Sequence, residues 1–387
     1  MILTQCAVCA TELGLSLGKK CGRCSTRYCG PECQVQHWKE GGHDQLCKKI
    51  KKAGGAEQYN ANTKYAEAVS VAATACAEDT KGQTCYICTQ ALHWKTKEGL
   101  VRMCACRGTA GFAHVSCLAE QAKILLAEAE ENNLGDQVFN QRFKRWYECS
   151  LCEQRYYVFV AHALGWACWK TYLGRPETDL FRFLSLEQLG NGLSEVGNHE
   201  DALSVEEARF SWLRRLGASE EDMLVTQGNL ASSYEELGRR EEALRIRRDV
   251  YSGLLKLYGE EHGDTLGEAS NYAATLKDLR RFEEAKEVLR KMIPVARRVL
   301  GASHINTLRV RWIYAQTLYK DDAVTLDDLR EAVSTLEEIE PTARRILGPA
   351  NPTAVGFEIS LRDARKLLSA RIAFPTLRIV PVLTGDA

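Results

Sequence analysis

The chain has 387 residues, enough for two or three domains. Its 51 Lys and Arg balance 51 Asp and Glu, which excludes a whole-chain field that would draw it onto nucleic acid or anionic lipid. Fifteen of the sixteen cysteines lie at or before Cys152 and only Cys168 follows, so the two halves are held together by different chemistry.

The opening "MILTQCAVCA" has neither the basic start nor the apolar run of a secretory signal. The most apolar stretch, "YYVFVAHALGWACW" (156–169), is too short to span a bilayer and carries His162. The expectation is a reduced chain of the cytoplasm or nucleus that does not enter a membrane.

The first cysteines read Cys6-x2-Cys9, Cys21-x2-Cys24, Cys29-x3-Cys33 and His43-x3-Cys47. Tight cysteine pairs accompanied by histidine are the pattern of zinc ligands rather than of disulfides. Eight ligands make two tetrahedral sites with no open position, so the metal is structural. His37 competes with His43, but His43 keeps the three-residue gap to Cys47.

These residues, with "YC-x3-C", Gln34 and "HW", resemble the MYND zinc finger over residues 6–47. The resemblance implies interleaved sites: Cys6, Cys9, Cys29 and Cys33 hold one zinc, and Cys21, Cys24, His43 and Cys47 the other. It also implies binding of short proline-containing peptides, with Trp38 as the aromatic at the groove. The competing reading of Trp38 is packing over the zinc loops. So small a module has little core, and metal binding supplies folding free energy on the order of 10 kcal/mol.

"KKIKKAGGAEQ" (48–58) reads as a solvated basic linker, and the alanine-rich run from about 57 to 78 as one helix. Cys76 stands alone there, as a small buried residue rather than a ligand. The second array then runs Cys85-x2-Cys88, Cys104-x-Cys106, His114-x2-Cys117 and Cys149-x2-Cys152, again eight ligands for two closed sites. Four zinc ions are therefore expected, two per array. "CACRGTAGFAHVSCL" and "WYECSLC" resemble the RING-CH finger over about 84–155. The resemblance implies a cross-brace, with Cys85, Cys88, His114 and Cys117 on one zinc and Cys104, Cys106, Cys149 and Cys152 on the other. "LAEQAKILLAEAEENN" reads as a helix that fills the long gap before Cys149.

A RING ligase docks a ubiquitin-conjugating enzyme and orients its thioester-linked ubiquitin, which is catalysis by positioning. Ile87, between the first two ligands, fits the docking position, and Leu118 would extend it. Ser150 stands where many such ligases place proline, and Glu153 where a basic residue often meets ubiquitin. Arg155 substitutes only if the chain turns suitably. A non-catalytic adaptor therefore stands beside the ligase. His93 is expected to be a surface or packing residue, because both metal sites are already full, and His162 and Cys168 to lie on a helix face.

From about Thr178 cysteine vanishes and a repeat appears. "GNHEDALSVEEA" (197–208), "GRREEALRIRRD" (238–249) and "RRFEEAKEVLRK" (280–291) recur at steps of 41 and 42. "GEEHGDTL" (259–266) returns as "GASHINTL" (301–308) and, more loosely, as "GPANPTAV" from Gly348. Each unit reads as two amphipathic helices that cannot bury their apolar faces alone. Ala231, Ala273 and Ala315 mark close helix approach, and Glu241–Glu242 and Glu283–Glu284 open second helices. The period resembles the tetratricopeptide repeats of kinesin light chain. Four units are expected, at about 180–217, 222–259, 264–301 and 305–348, with a capping helix at 352–371. Such solenoids receive peptides on a concave face. Asn229 and Asn271 fall where the family uses asparagine to bond a ligand's backbone, while Ile313 breaks the row; the competing reading is that both asparagines bond within the solenoid. The remaining Arg–Glu combinations read as solvated faces.

The expected architecture is thus small zinc-stabilised modules followed by an all-α half: a MYND finger, a RING-CH-like cross-brace finger and a tetratricopeptide-type α-solenoid. The boundaries are a first finger (1–50), a helical linker (51–83), a second finger (84–155), a connecting helix (156–177), repeats (178–371) and a tail (372–387). The expected partners are proteins and peptides, including a ubiquitin-conjugating enzyme under the ligase reading. Neutral charge and the lack of a base-reading helix argue against nucleic acid. No triad, phosphate loop or open metal site is present, so no catalytic side chain is assigned.

Overall fold

The computed structural model describes residues 6–11, 13 and 17–374. It divides into two compact units, Met1–Ala218 and Ser219–Ala387, and 67% of it is helical.

The first unit opens with a two-stranded antiparallel hairpin, β1 (Lys19–Lys20) against β2 (Arg27–Tyr28), followed by α1 (Pro31–Lys39) and α2 (His43–Lys52). The helix expected near 57–78 is α3 (Ala56–Ala75). A long loop region then leads to α4 (Val115–Glu131), α5 (Asp136–Phe143) and a 3-10 turn at Lys144–Trp146. Then come α6 (Val158–Tyr172), α7 (Leu180–Glu195) and α8 (His199–Leu216). The apolar run too short for a membrane forms α6, whose Val160, Leu164, Trp166, Cys168 and Trp169 are all buried. It lies against α3, α4 and α7. No helix among the described residues is long and apolar enough to cross a membrane.

Two glycines let α6 and α7 approach backbone to backbone. A Cβ on Gly165 would meet the Gln188 carbonyl oxygen at 2.7 Å, and one on Gly192 the Ala161 carbonyl oxygen at 2.9 Å. The pair α7–α8, expected as the first repeat, thus belongs to the first unit and packs on α6. At the start of α7 the Asp179 carboxylate accepts from the amides of Phe181 and Arg182. Arg175 joins that cap to Glu130 of α4, at 2.6 Å.

The second unit contains α9 (Glu220–Glu236), α10 (Arg240–Tyr258), α11 (Gly263–Asp278), α12 (Phe282–Val299), α13 (Ile305–Tyr319), α14 (Leu326–Leu347) and α15 (Pro352–Ala373). Successive helices pack in antiparallel pairs, and Ala231, Ala273 and Ala315 are fully buried, as their repeat spacing implies. The recurring loop has one job at each occurrence. The His262, His304 and Asn351 side chains accept the backbone N–H two residues on, at 3.4, 3.2 and 2.9 Å, and so start α11, α13 and α15. Pro294 and Pro341 sit at matching places inside α12 and α14, where "PVARRVLG" returns as "PTARRILG". The predicted tail beyond Phe374 lies outside the described residues.

Candidate metal centres and partner surfaces

The sixteen expected ligands gather into four groups that could each hold a metal ion, with all ligand atoms in a group within 4.8 Å of one another. The groups are Cys6, Cys9, Cys29, Cys33; Cys21, Cys24, His43, Cys47; Cys85, Cys88, His114, Cys117; and Cys104, Cys106, Cys149, Cys152. All sixteen cysteines are free. Zinc fits these sets. A Zn–S bond of about 2.3 Å gives a tetrahedral edge of roughly 3.8 Å. The Sγ atoms of Cys9 and Cys29 are 3.4 Å apart, those of Cys106 and Cys149 3.7 Å, and those of Cys21 and Cys47 4.0 Å.

Local backbone makes the clusters. In each Cys-x2-Cys pair the first cysteine's N–H donates to the carbonyl five residues on: Cys6 to Thr11, Cys21 to Thr26, Cys85 to Gln90 and Cys149 to Gln154. The residue four on donates back to the first cysteine's carbonyl and adopts a left-handed conformation. These residues are Ala10, Ser25, Thr89 and Glu153, with φ of 56°, 62°, 62° and 55°. The same turn occurs a fifth time without cysteine. His93 N–H donates to the Glu98 carbonyl, Lys97 has φ 60°, and His93 Nδ1 accepts from the Thr96 amide at 3.1 Å and pairs with its hydroxyl at 2.8 Å. Hydrogen bonds stand there where the other turns offer metal-ligating thiols, and the ring packs 5.3 Å from that of His114.

His43 opens α2 and Cys47 follows one turn later, so both point into one cluster; His43 Nε2 lies 3.4 Å from Cys24 Sγ. His37 instead pairs with the Tyr28 hydroxyl at 3.0 Å. In the second array His114 uses Nδ1, 3.4 Å from Cys88 Sγ, and Nε2 faces the Ala91 carbonyl, which orients the ring. The thiols need a cation to ionise together. A hydrogen bond from Cys104 holds the Cys149 thiol down, and Cys149 in turn pushes Cys104 up. Burial and the Cys149 charge push Cys106 up to about 12. Zinc bound there would supply the positive charge that lets all four thiolates coexist.

The partner-binding candidates divide. Ile87 is 36% exposed on its turn, and Trp38 is 45% exposed with its ring edge to that of His43, 5.7 Å away. Leu118 is a correction: it lies in the first turn of α4, 3% exposed in the core shared with α3 and α6, and cannot extend a docking surface. Leu151, not singled out from sequence, is 51% exposed between Cys149 and Cys152, the place Ile87 occupies between Cys85 and Cys88. Asn229 and Asn271 are half-buried, and Asn271 donates to Glu268 at 3.1 Å. Cys76 and Cys168 are buried outside every cluster.

Not all Arg–Glu combinations are solvated. Arg209 is fully buried between Glu206 and Glu187, and Arg247 is 2% exposed with Glu235 at 2.9 Å and Glu268 at 3.2 Å. Glu187, Glu235 and Glu268 reach these arginines from 12 to 22 residues away, so local spacing gives no signal for them.

Family models match in three places: MYND finger at residues 6–47, RING-variant domain at 85–152, and tetratricopeptide repeat at 223–264 and 269–306. No curated protein matches the chain. Similar solved structures include a kinesin light chain of nearly identical TPR-like repeats from Podosopora anserina, 20% identical, covering 52% of this chain and 91% of that one at TM-score 0.40. BtubC (BKLC) from P. vanneervenii is 14% identical, with 70% and 97% covered at TM-score 0.36. A Rap protein complexed with competence and sporulation factor is 14% identical, with 66% and 71% covered at TM-score 0.38. Clusters, turns and family matches together make this a multi-module zinc-binding protein that carries a MYND finger, a RING-variant domain and tetratricopeptide repeats.

Proposed function

We propose that the RING-variant domain recruits a ubiquitin-conjugating enzyme, while the MYND finger and the helical repeats bind peptide segments of the protein to be modified. Four zinc ions hold the two fingers in shape. The observation that carries the reading is a pair of exposed aliphatic side chains, Ile87 and Leu151, on two metal-binding turns that the Tyr86 and Ser150 hydroxyls join at 3.0 Å. Such a surface suits docking of an apolar loop. The chain would contribute orientation only. A lysine amine of the bound protein attacks the thioester, the conjugating enzyme's thiol leaves, and no side chain of this protein enters the bond changes. Trp38 would contact peptide at the first finger, and Asn229 and Asn271 at the repeats. Free thiols throughout suit the cytoplasm or nucleus.

Autoubiquitination with a panel of conjugating enzymes tests it. Product formed by the wild type and lost in Ile87→Ala and in Leu151→Ala, with zinc content unchanged, supports the reading; no product with any enzyme defeats it.

A non-catalytic adaptor is the second reading, favoured by Glu153 and Arg155. Glu153 is exposed just after the last ligand, and the Arg155 guanidinium lies 5.3 Å over the Tyr147 ring. An acidic edge there opposes a basic contact to ubiquitin.

A further inference from the structure

Each first helix of the second unit follows a loop glycine: Gly217 before α9, Gly259 before α11, Gly301 before α13 and Gly348 before α15. Seven residues past it stand Leu224, Leu266, Leu308 and Val355. The three leucines are buried, while Val355 is 38% exposed. Fourteen past it stand Ala231, Ala273, Ala315 and Arg362; the alanines are fully buried and the arginine is exposed. Eleven past it, Trp312 of α13 stacks on Phe357 of α15 with ring centroids 4.6 Å apart, and its N–H donates to Ser360 at 2.8 Å. The same place on α15 holds Ile359, which is 39% exposed.

The difference lies in what each helix meets. α9, α11 and α13 carry the second helices α10, α12 and α14, and α11 and α13 also meet the next first helix. α15 packs on α13 and α14, and no helix follows it among the described residues. Val355 and Ile359 therefore lie open at places that a neighbouring helix covers elsewhere in the row. Further along the same face, Arg362 and Lys366 are exposed. The second helices run 18 to 22 residues, antiparallel to their first helices, and open with the acidic pairs Glu241–Glu242, Glu283–Glu284 and Asp327–Asp328. Laid on α15 in that sense, such a helix brings its acidic first turn to Arg362 and Lys366. Residues 375–387 are too few for a helix of that length and carry a single acid, Asp386.

We propose that the open edge of α15 receives an amphipathic helix of another protein, antiparallel to α15, with apolar side chains over Val355 and Ile359 and acids in its first turn beside Arg362 and Lys366. The docked helix completes a fifth unit in trans, by the same packing that joins α14 to α13. The edge is a different surface from the row of Asn229 and Asn271, so it stands whether or not that row binds peptide.

The probe is a fluorescent synthetic peptide copying residues 238–258, the α10 sequence, which is amphipathic and opens with Glu241–Glu242. Its anisotropy is titrated with the full-length, zinc-loaded protein, beside a scrambled peptide of the same composition. Saturable binding of the α10 peptide alone is expected, weakened on the order of tenfold in Val355→Gln with Ile359→Gln. Arg362→Glu with Lys366→Glu should weaken it several-fold at low salt and little at high salt. Both double variants should melt as the wild type does, because all four side chains are exposed. Binding no better than that of the scrambled peptide, or left unchanged by Val355→Gln with Ile359→Gln, would overturn the proposal. Loss in Asn229→Ala with Asn271→Ala alone would place the peptide in the groove of the repeats instead. Tighter binding after deletion of residues 375–387 would give the edge to the chain's own terminus. Self-association in sedimentation, abolished by Val355→Gln with Ile359→Gln, would make the occupant a second copy and overturn its assignment to another protein.

Discussion

The Tyr86 and Ser150 hydroxyls lie 3.0 Å apart and fasten the Cys85–Cys88 turn to the Cys149–Cys152 turn, 64 residues away in sequence. Each turn belongs to a different cluster, so this bond ties the turn that carries Ile87 to the turn that carries Leu151. Tyr86→Phe should destabilise the finger by about 1 kcal/mol, the usual worth of a half-buried hydrogen bond. It should leave zinc content intact and weaken coupling to a conjugating enzyme. A melting curve and a ubiquitination rate both equal to wild type would show that the two turns hold their spacing without it.

Glu153 occupies the left-handed position of its turn, with φ 55°. A side chain there costs roughly 1 kcal/mol that glycine avoids. Glu153→Gly should therefore raise the melting temperature of the first unit. If ubiquitin transfer exists, the same substitution should quicken it by removing the acidic edge.

Gly165→Ala and Gly192→Ala place a methyl group against backbone on the facing helix. Helix propensity favours alanine by about 1 kcal/mol, but backbone cannot rotate aside as a side chain does, and overpacking costs typically 1–3 kcal/mol. Both variants should melt below wild type. Unchanged melting would mean that α6 and α7 can separate freely.

Burial, reinforced by the Glu187 charge, raises the Glu206 pKa to about 7 despite Arg209. The unfolded value is near 4.3, so between those values the folded chain binds more protons than the unfolded one. Stability from this group is therefore fully present below about pH 4 and lost as pH rises toward 7. Glu206→Gln should remove that decline, and the difference between wild-type and variant melting at pH 5.5 and 7.5 reads it. Arg209→Met should cost several kcal/mol, because it leaves the buried Glu206 and the half-buried Glu187 without their cation.

Metal ligands were legible in the sequence because each cluster needs four donors at fixed short spacings, a pattern that survives whatever surrounds it. The repeats were legible because Ala231, Ala273 and Ala315 recur with the helix pair they join. Leu118 was misread since position beside a ligand says nothing about which side of α4 meets the core. Arg209 and Arg247 were misread because Glu187, Glu235 and Glu268 reach them from other helices, 12 to 22 residues away in sequence, where local spacing says nothing.

Metal analysis of the purified chain should give about four zinc atoms, two from each array. A value near two would mean that one array is held by other bonds.

In the first finger, Cys29 and Cys33 fall in sequence between Cys24 and His43, while Cys21 and Cys24 fall between Cys9 and Cys29. The two closures share the stretch from 21 to 33, so emptying either site slackens the frame of its neighbour. A metal-starved preparation should accordingly divide between bare and doubly occupied fingers, with few caught halfway.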